Sequence, residues 1–402
     1  MRLRSIAWAG LAGLVVAALL HSSALVFASL AASALAALVV TTRRRVFTAF
    51  TFERTLSRRV APWGGELEIT MSVTNAKLLP LVWMRVRDEW PAGLEPLGFA
   101  LRPLSHLGRQ AFIQTISVRW YERLRRRYRV RCVERGLHRF GPVELEAGDP
   151  FGIAGVERKL EARQELAVLP KVLEIPGFDL LIGHPLVEET VAHALACDPT
   201  ALRGIRPYRP GDAMRAINWR ATARSGALQT NEFDPASLAA VRLLLDVSGL
   251  RRAWEGIDPD LMELLCVVAA SLAAAFAARG HGVGLASNAR LTRDWRAADI
   301  EPAEGALPEV LEALARMLPY SGRGLGALLS AELAGGSSRA EHVVVTAALR
   351  SGARGPLAQL RAERPTRVVY VGRPTDDEAP LVDIVVPGDF DWRTSDALPL
   401  LA

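Results

Sequence analysis

Cysteine, aromatic residues and lysine are all scarce in this sequence. Of the 402 residues, only three are cysteine and 6% are aromatic. Cys132, Cys197 and Cys266 lie far apart and form no CxxC pair, so neither a disulfide framework nor a cysteine-based zinc site is expected. We predict that they are buried thiols in a reducing compartment.

The scarcity of lysine limits what the basic charge can mean. The formal net charge is +6, yet the lysines are Lys77, Lys159 and Lys171 alone. Such a preference for arginine is typical of a GC-rich genome, so the charge is not taken as evidence for a nucleic-acid partner. Half of the residues are hydrophobic, which is typical of folded domains combined with a membrane segment.

Charge is missing altogether from Ser5 to Thr42. A single helix of that length would be far longer than the roughly 30 Å hydrocarbon core of a bilayer. A polar interruption at residues 21–23 divides the stretch. We therefore predict a transmembrane hairpin over residues 1–45, with spans at about 5–20 and 24–41.

The flanking arginines predict the orientation of this hairpin. Arg2 and Arg4 precede the first span, and Arg43, Arg44 and Arg45 follow the second. Arginines near a span favour the cytoplasmic side, so we expect a multi-pass inner-membrane protein of a bacterium whose soluble domains are cytoplasmic. The alternative is a cleaved signal peptide, indicated by small residues at 31–37, but the apolar stretch continues to the arginine triplet as in a stop-transfer segment.

Residues 46–175 have the pattern of short strands. Residues 67–73 alternate between apolar and polar side chains, as in a half-buried strand, and residues 82–86 and 143–145 are further candidates. Glycine and proline separate these runs, and no long helical period intervenes. This pattern predicts a β-rich, sandwich-like middle domain.

An arginine-rich stretch runs from Arg123 to Arg139. One interpretation is binding of anionic lipid or of nucleic acid. The other is the solvated face of a strand, because the arginines alternate with Tyr128, Val130 and Cys132.

Residues 176–402 alternate between compact apolar strands and helices. Residues 241–245, 342–346 and 367–371 are apolar runs, as expected for parallel strands buried on both faces. Residues 261–278 predict a long helix that Asp258 and Pro259 begin. The alternation indicates an α/β doubly wound C-terminal domain.

Three motifs stand out against this background. The first is residues 135–142 (RGLHRFGP), followed by Asp149-Pro150-Phe151-Gly152; the second is residues 204–212 (GIRPYRPGD), continuing through Arg215 and Trp219 to Arg224; the third is residues 243–248 (LLLDVS). Together they resemble the bacterial family called domain of unknown function 58, and residues 73–91 are similar to the middle region of that family. The resemblance extends over nearly the whole chain.

The resemblance implies two N-terminal spans, a β-rich region and a von Willebrand factor type A-like domain. It also implies a partner, because the family has no established enzymatic activity and is typically encoded beside MoxR-type AAA+ ATPases. We therefore expect a non-enzymatic membrane adaptor in a cell-envelope or assembly role.

The second motif supplies the residues that we expect to bind this partner. They are Arg206, Tyr208, Arg209, Asp212, Arg215, Trp219 and Arg224. Asp212 is placed to cap a helix over residues 213–224, on which Arg215 and Trp219 would share a face. Arginine and tryptophan dominate interface hot spots, but the same residues could form an internal brace with Trp219 in the core.

The third motif raises the question of a metal. Type A domains that bind Mg²⁺ have the pattern Asp-x-Ser-x-Ser, with a threonine and an aspartate from later loops, and hard cations prefer such oxygen ligands. Asp246 and Ser248 match, whereas Leu250 and Ala347 replace two ligands. A Mg²⁺ site is thus expected to be degenerate at most, and we predict no cofactor.

Catalytic motifs are missing from the sequence. It contains no GxSxG, HExxH or GxxxxGK[ST]. Two alternatives to the adaptor role stay open: a metal-dependent hydrolase that uses Asp246, Ser248 and Asp212, and a protein that binds lipid or nucleic acid through Arg123 to Arg139.

Overall fold

The structure of this chain is a computed structural model that describes residues 23–105, 108–152, 155–178, 202–208, 217–233, 240–248, 258–292, 295–335 and 340–401. The chain divides into two compact units, Met1–Val168 and Leu169–Ala402. The predicted span at residues 5–20 lies outside the described residues.

The first described element is the apolar helix α1, Ser23–Arg45. Its side chains are mostly exposed, and at about 1.5 Å per residue its 23 residues reach roughly 34 Å. It is therefore long and apolar enough to cross a membrane. Arg43, Arg44 and Arg45 form its last turn, where positive charge is favourable to the helix dipole.

Twelve strands make up the described part of the first unit after α1. They are β1 (Phe50–Leu56), β2 (Val60–Ala61), β3 (Glu66–Asn75), β4 (Leu81–Pro91), β5 (Leu94–Leu97), β6 (Arg102–Pro103), β7 (Arg109–Val118), β8 (Glu122–Cys132), β9 (Gly136–Phe140), β10 (Val143–Gly148), β11 (Gly155–Leu160) and β12 (Gln164–Val168). The strand orders are β1-β3-β8-β5, β11-β10-β4-β7-β6 and β2-β12-β9. The predicted β-rich region is confirmed.

The first two sheets face each other across a shared hydrophobic core. Ile69 from β3, Val130 from β8 and Phe112 from β7 belong to one buried cluster. Trp90 lies at its centre and stacks on Phe112 with ring centroids 5.1 Å apart. Alternation along β3 places its apolar side chains on this inner face.

A buried ion pair between Arg54 and Asp88 ties β1 to β4 inside this core. Both side chains are fully buried, and Asp88 also accepts a 2.7 Å hydrogen bond from Trp90 Nε1. Arg54 Nε donates to Gln164 Oε1 over 3.2 Å, and its guanidinium carbon lies 5.1 Å from the Phe140 ring centroid. The first motif, which contains Phe140, thus packs against this pair.

The arginine-rich stretch is largely the strand β8, and its alternation is confirmed. Val130 and Cys132 are buried, whereas the arginines at odd positions are exposed. Four of them lie within 4 Å of carboxylates on other strands of the same sheet: Arg123 with Glu53, Arg127 with Glu68, Arg129 with Glu66, and Arg131 with Glu95. The face is therefore a mixed-charge surface, and each exposed pair adds at most about 1 kcal/mol to stability.

The described elements of the second unit alternate between strands and helices. They are β13 (Leu202–Pro207), α2 (Trp219–Ser225), β14 (Gln229–Phe233), β15 (Ala240–Leu245), α3 (Pro259–Ala278), β16 (Gly282–Leu291), β17 (Ala297–Ala303), α4 (Leu307–Arg316), β18 (Met317–Ser321), α5 (Leu325–Gly335), β19 (Glu341–Thr346), α6 (Ser351–Glu363), β20 (Thr366–Val371), the 3₁₀ turn Ala379–Leu381 and β21 (Ile384–Val386).

A mixed sheet with a parallel centre forms the core of this unit. Its order is β17-β16-β15-β19-β20-β21, with β18 beside β16. The strands β16, β15, β19, β20 and β21 are parallel, whereas β17 and β18 run antiparallel to β16. Leu244, Val344 and Val368 pack with α5 and α6 on one face. The helix α3 contacts β15, β16 and β19, and the alternation places Leu243 and Leu245 on its side.

The predicted strands and the helix α3 of this unit are confirmed. Asp258 caps α3 by accepting hydrogen bonds from the backbone amides of Asp260 and Leu261. This helix is also long and apolar enough to cross a membrane, but most of it is buried against the sheet, so it is a core helix. The helix α5 and the strands β17 and β18 had no clear signal in the sequence.

The buried pair Arg54–Asp88 generates the first prediction. Asp88→Asn leaves the Arg54 charge buried without a carboxylate, which we expect to lower the free energy of unfolding of the first unit by about 3 kcal/mol. Hydrogen exchange of β4 and β7 amides under increasing denaturant, with the full chain in mild detergent, measures this loss.

The matched control is Glu146→Gln. Glu146 pairs with Arg85 on the surface, so its loss should change stability by less than about 1 kcal/mol. Equal effects of the two substitutions would contradict the role assigned to the buried pair.

Candidate functional site

Polar side chains meet where the central parallel strands end. Asp246 follows β15, Asn288 lies near the end of β16, and Thr346 is the last residue of β19. These strands are neighbours in the sheet, and all three side chains are at most 1% exposed. In open α/β sheets, this carboxyl edge is where ligands bind.

The Asp246 carboxylate accepts hydrogen bonds from three other residues. Its Oδ1 accepts bonds from the Ser248 backbone amide (3.0 Å), from the Ser248 hydroxyl and from Asn288 Nδ2 (2.5 Å). Its Oδ2 accepts a 2.8 Å bond from the Thr346 hydroxyl. Asp246 thus links three adjacent strands and the loop that follows β15.

Asn288 extends this network to a second loop. Its Oδ1 accepts a 2.9 Å bond from the Val247 amide, and its Nδ2 also donates to the Arg323 carbonyl over 3.1 Å. Asn288 and Thr346 were not predicted as site residues. Their signal in the sequence was weak, because each is a small polar residue within, or at the end of, a largely apolar strand.

The donor set fits a tightly bound Mg²⁺ poorly. Among the described residues, no group of three or more His, Cys, Asp or Glu side chains could hold a metal. Among the described residues of the network, Asp246 supplies the one carboxylate, and the other side-chain oxygens are the hydroxyls of Ser248 and Thr346 and the amide oxygen of Asn288. Ala347 stands directly after β19, where the type A pattern would need an aspartate; Leu250 lies outside the described residues.

A second buried carboxylate organises loops at the same edge of the sheet. Glu378 accepts bonds from the Leu349 amide, from the Thr375 amide and hydroxyl, and from the Tyr370 hydroxyl, over 2.8 to 3.1 Å. Burial tends to raise the pKa of Glu378, but the hydrogen bonds from Thr375 and Leu349 outweigh it, so the pKa is lowered. The carboxylate is therefore held ionised by its donors.

The second motif surrounds a small antiparallel ribbon, β13–β14, and the helix α2. Of the seven predicted partner-binding residues, Arg206, Tyr208, Trp219 and Arg224 are described, whereas Arg209, Asp212 and Arg215 lie outside the described residues. Arg206 pairs with Thr230 in the ribbon, and the Tyr208 amide donates to the Leu228 carbonyl over 2.9 Å.

The predicted continuous helix over residues 213–224 is wrong at residues 217 and 218. Ile217 forms a bridge with Thr230, and α2 begins only at Trp219. Asn218 caps it, because its Oδ1 accepts a 3.0 Å bond from the Ala221 amide. Trp219 is thus the first residue of α2.

The expectation that Trp219 fills the core is also wrong. Its side chain is 65% exposed, and α2 has no buried residue. Arg220, Arg224 and Leu228 are exposed beside it. We call Trp219, Arg220, Arg224 and Leu228 the α2 patch; tryptophan and arginine are residue types that dominate interface hot spots.

Comparison with known proteins finds a family match within the second unit. Residues 204–390 match the family described as "Protein of unknown function DUF58". Over this range, a little under half of the chain, the protein is a DUF58 match. The match includes the α2 patch, the Asp246 network and Glu378.

Other similar proteins add little about function. The chain is 26% identical over 232 residues to "Uncharacterized protein YeaD" of Bacillus subtilis, covering 56% of this chain and 52% of that protein. It thus spans about half the length of this relative.

Among solved structures, the CARDB domain of a Pyrococcus furiosus protein is similar over 30% of this chain and 91% of its own, at 15% identity and a TM-score of 0.20. Spo0M, a sporulation control protein from Bacillus subtilis, is similar over 40% of this chain and 59% of its own, at 10% identity and a TM-score of 0.19. Likeness at this level carries no argument about fold or function.

The Asp246 network generates the second prediction. Asp246→Asn replaces an acceptor by a group that also donates, and it leaves Asn288 or Thr346 with an unmatched buried hydrogen-bonding group. We expect the free energy of unfolding of the second unit to fall by about 2 kcal/mol. Denaturation in EDTA measures this, because chelation removes any contribution of a metal.

Ser248→Ala is the control for this prediction. It removes only the side chain of a half-buried donor and should cost about 1 kcal/mol or less. If the wild type and Asp246→Asn differed only when Mg²⁺ was added, Asp246 would be a metal ligand and not the centre of a hydrogen-bond network.

Proposed function

We propose that this protein is a non-enzymatic adaptor that is anchored in the bacterial inner membrane and binds a protein partner in the cytoplasm. The observation that carries the proposal is the α2 patch: an exposed tryptophan and two exposed arginines on a helix that buries none of its own residues, with an exposed leucine in the loop that follows it. A helix without buried residues gains little from packing on its own chain, and a partner could cover it.

The membrane part of the proposal depends on α1. Its exposed apolar side chains favour lipid over water, and three arginines end it. With Arg2 and Arg4 at the other end of the uncharged stretch, the positive charges support a two-span hairpin whose ends are both cytoplasmic.

The chemistry of the second unit supports binding over catalysis. Both buried carboxylates at the carboxyl edge, Asp246 and Glu378, are already engaged by protein donors. A general base or a metal ligand needs a free lone pair directed at its substrate or ion. We propose instead that these carboxylates hold loops in one conformation. The parallel sheet with helices on both faces, and Asp246 at its carboxyl edge, support a von Willebrand factor type A-like fold for this unit.

The proposed partner is a MoxR-type AAA+ ATPase, in a cell-envelope or assembly process. This choice is supported by the DUF58 match, since such ATPases typically accompany the family. No metal or other cofactor is part of the proposed binding.

Binding of a purified MoxR-type ATPase from the same genome tests the proposal. Trp219→Ser combined with Leu228→Ser should weaken binding to the full chain in mild detergent at least about tenfold, which corresponds to about 1.4 kcal/mol. Surface-immobilised chain and soluble ATPase give the dissociation constants.

Trp295→Ser is the matched control, because Trp295 is an equally exposed tryptophan of the same unit outside the patch. It should bind the ATPase as the wild type does. Wild-type binding by the double variant would exclude the α2 patch as the contact, and failure of the wild type to bind would exclude this partner.

A further inference from the structure

The first unit exposes four large apolar side chains in a pattern that its own packing does not explain. Among the described residues after α1, the four most exposed large hydrophobic side chains of this unit are Leu78, Trp120, Tyr121 and Phe151, at 60% to 73%. Leu78 lies between β3 and β4, Trp120 and Tyr121 lie between β7 and β8, and Phe151 follows β10.

Strand register places the first two of these loops at the same end of the unit. Asn75, at the end of β3, pairs with Phe50 at the start of β1 and with Glu122 at the start of β8. Leu81, at the start of β4, pairs with Val118 at the end of β7. Asn75 Nδ2 joins the loops directly by donating to the Leu79 and Arg119 carbonyls, both over 2.9 Å.

The loop that carries Phe151 belongs to this end as well. Ala147, near the end of β10, pairs with Met84 near the start of β4. Trp83 Nε1 donates to the Asp149 carbonyl over 2.8 Å. The Asp149 side chain then fixes the turn, because its Oδ1 accepts a 2.9 Å bond from the Phe151 amide.

The apolar helix α1 enters the unit at this end too. Lys77 Nζ donates to the carbonyls of Val46 (2.8 Å) and Thr48 (3.0 Å), immediately after the last arginine of α1. The Ala76 amide donates to the Ala49 carbonyl over 2.9 Å, and the Tyr121 amide donates to the Lys77 carbonyl over 3.3 Å. The loops are therefore bonded to the segment that leaves α1.

We propose that residues 76–80, 119–121 and 149–152 form a second membrane contact, seated in the lipid headgroup region beside the end of α1. The proposal rests on the membrane anchoring by α1 proposed above. Tryptophan and tyrosine favour this interfacial region because each has an apolar ring and a polar group. Lys77 and Arg119 add positive charge beside Arg43 to Arg45, which suits anionic headgroups.

The opposite end of the unit provides the contrast. Its exposed loop residues are polar and include Ser57, Arg58, Arg59 and Glu134. Tyr121 has a φ of 52°, a left-handed conformation that is costly for a bulky residue and that glycine or asparagine would adopt more readily. Folding alone thus gives no reason for an exposed tyrosine there.

Fluorescence quenching in vesicles tests the contact. The full chain carrying Trp120→Cys is labelled with the environment-sensitive dye NBD and reconstituted in phosphatidylethanolamine–phosphatidylglycerol vesicles that contain lipids with a spin label high on the acyl chain. Cys197→Ala is included in all variants. Cys132 and Cys266 are buried, which keeps both thiols from reacting with the dye. Burial also raises the pKa of the Cys132 thiol to about 11.

Val60→Cys is the matched control, because Val60 is exposed but lies beyond β1, whose seven residues separate it from the membrane end by roughly 20 Å. We expect dye at 120 to be quenched at least about threefold more than dye at 60. Leu78→Cys gives a second label position, which should behave as Trp120→Cys does and guards against a local folding defect at 120.

The outcomes separate this proposal from the anchoring on which it rests. If the labelled chain does not float with the vesicles after alkaline carbonate, the anchoring by α1 fails. If the chain floats but dye at 120 and 78 is quenched no more than dye at 60, the loops do not touch lipid. A blue-shifted but unquenched dye would mean that a second copy of the chain covers the loops, which also overturns the proposal.

Discussion

No flexible linker separates the apolar helix α1 from the folded β-rich unit. Arg45 ends the helix, and the next residue, Val46, is already buried in the core of the unit. Thr48 closes the turn by donating from both its amide and its hydroxyl to the Arg45 carbonyl, and Phe47 packs edge-on against Phe50. Whatever fixes α1 therefore fixes the β-rich unit as well, and a membrane around α1 would lie against the end that carries the exposed aromatic loops.

The second unit follows a different physical rule, in which buried charge orders the loops around a parallel sheet. Asp246 and Glu378 lie at the carboxyl edge of the sheet, and each accepts several hydrogen bonds from protein groups. These carboxylates therefore stabilise the conformation of the surrounding loops. Trp219 in the α2 patch is among the large apolar side chains that this unit exposes. The proposed adaptor role would use the exposed aromatic and basic side chains of this patch as its docking surface.

Much of this architecture could be predicted from the sequence, because its strands carry strong local signals. The compact apolar runs of β15, β19 and β20 and the alternation of β3 and β8 follow directly from burial on two faces or on one. The carboxylate partners of the β8 arginines could not be predicted, since they come from other strands and depend on register.

The details of the site were predicted less well. The cap of α2 was not predicted, because Asp212 and Asn218 are both good helix caps in sequence and the pairing of Ile217 with Thr230, which places the start of α2 after residue 217, depends on a contact between distant residues. Asn288 and Thr346 were missed because the pairing of three strands brings them to Asp246 from 42 and 100 residues away. Trp219 was considered for the core because tryptophan usually packs there, whereas here it is exposed.

The position of the two ends of the uncharged N-terminal stretch relative to the membrane tests the central claim most directly. Green fluorescent protein can be fused after Ala402; it becomes fluorescent in the cytoplasm but stays dark in the periplasm when it is exported unfolded. Alkaline phosphatase, which is active only in the periplasm, can be fused after Ser22. The account predicts a fluorescent C-terminal fusion and an active phosphatase at Ser22 in the same membrane fraction. An active phosphatase fused after Ala402, or a mature chain that begins beyond Ala37, would place both folded units outside the cytoplasm and contradict it.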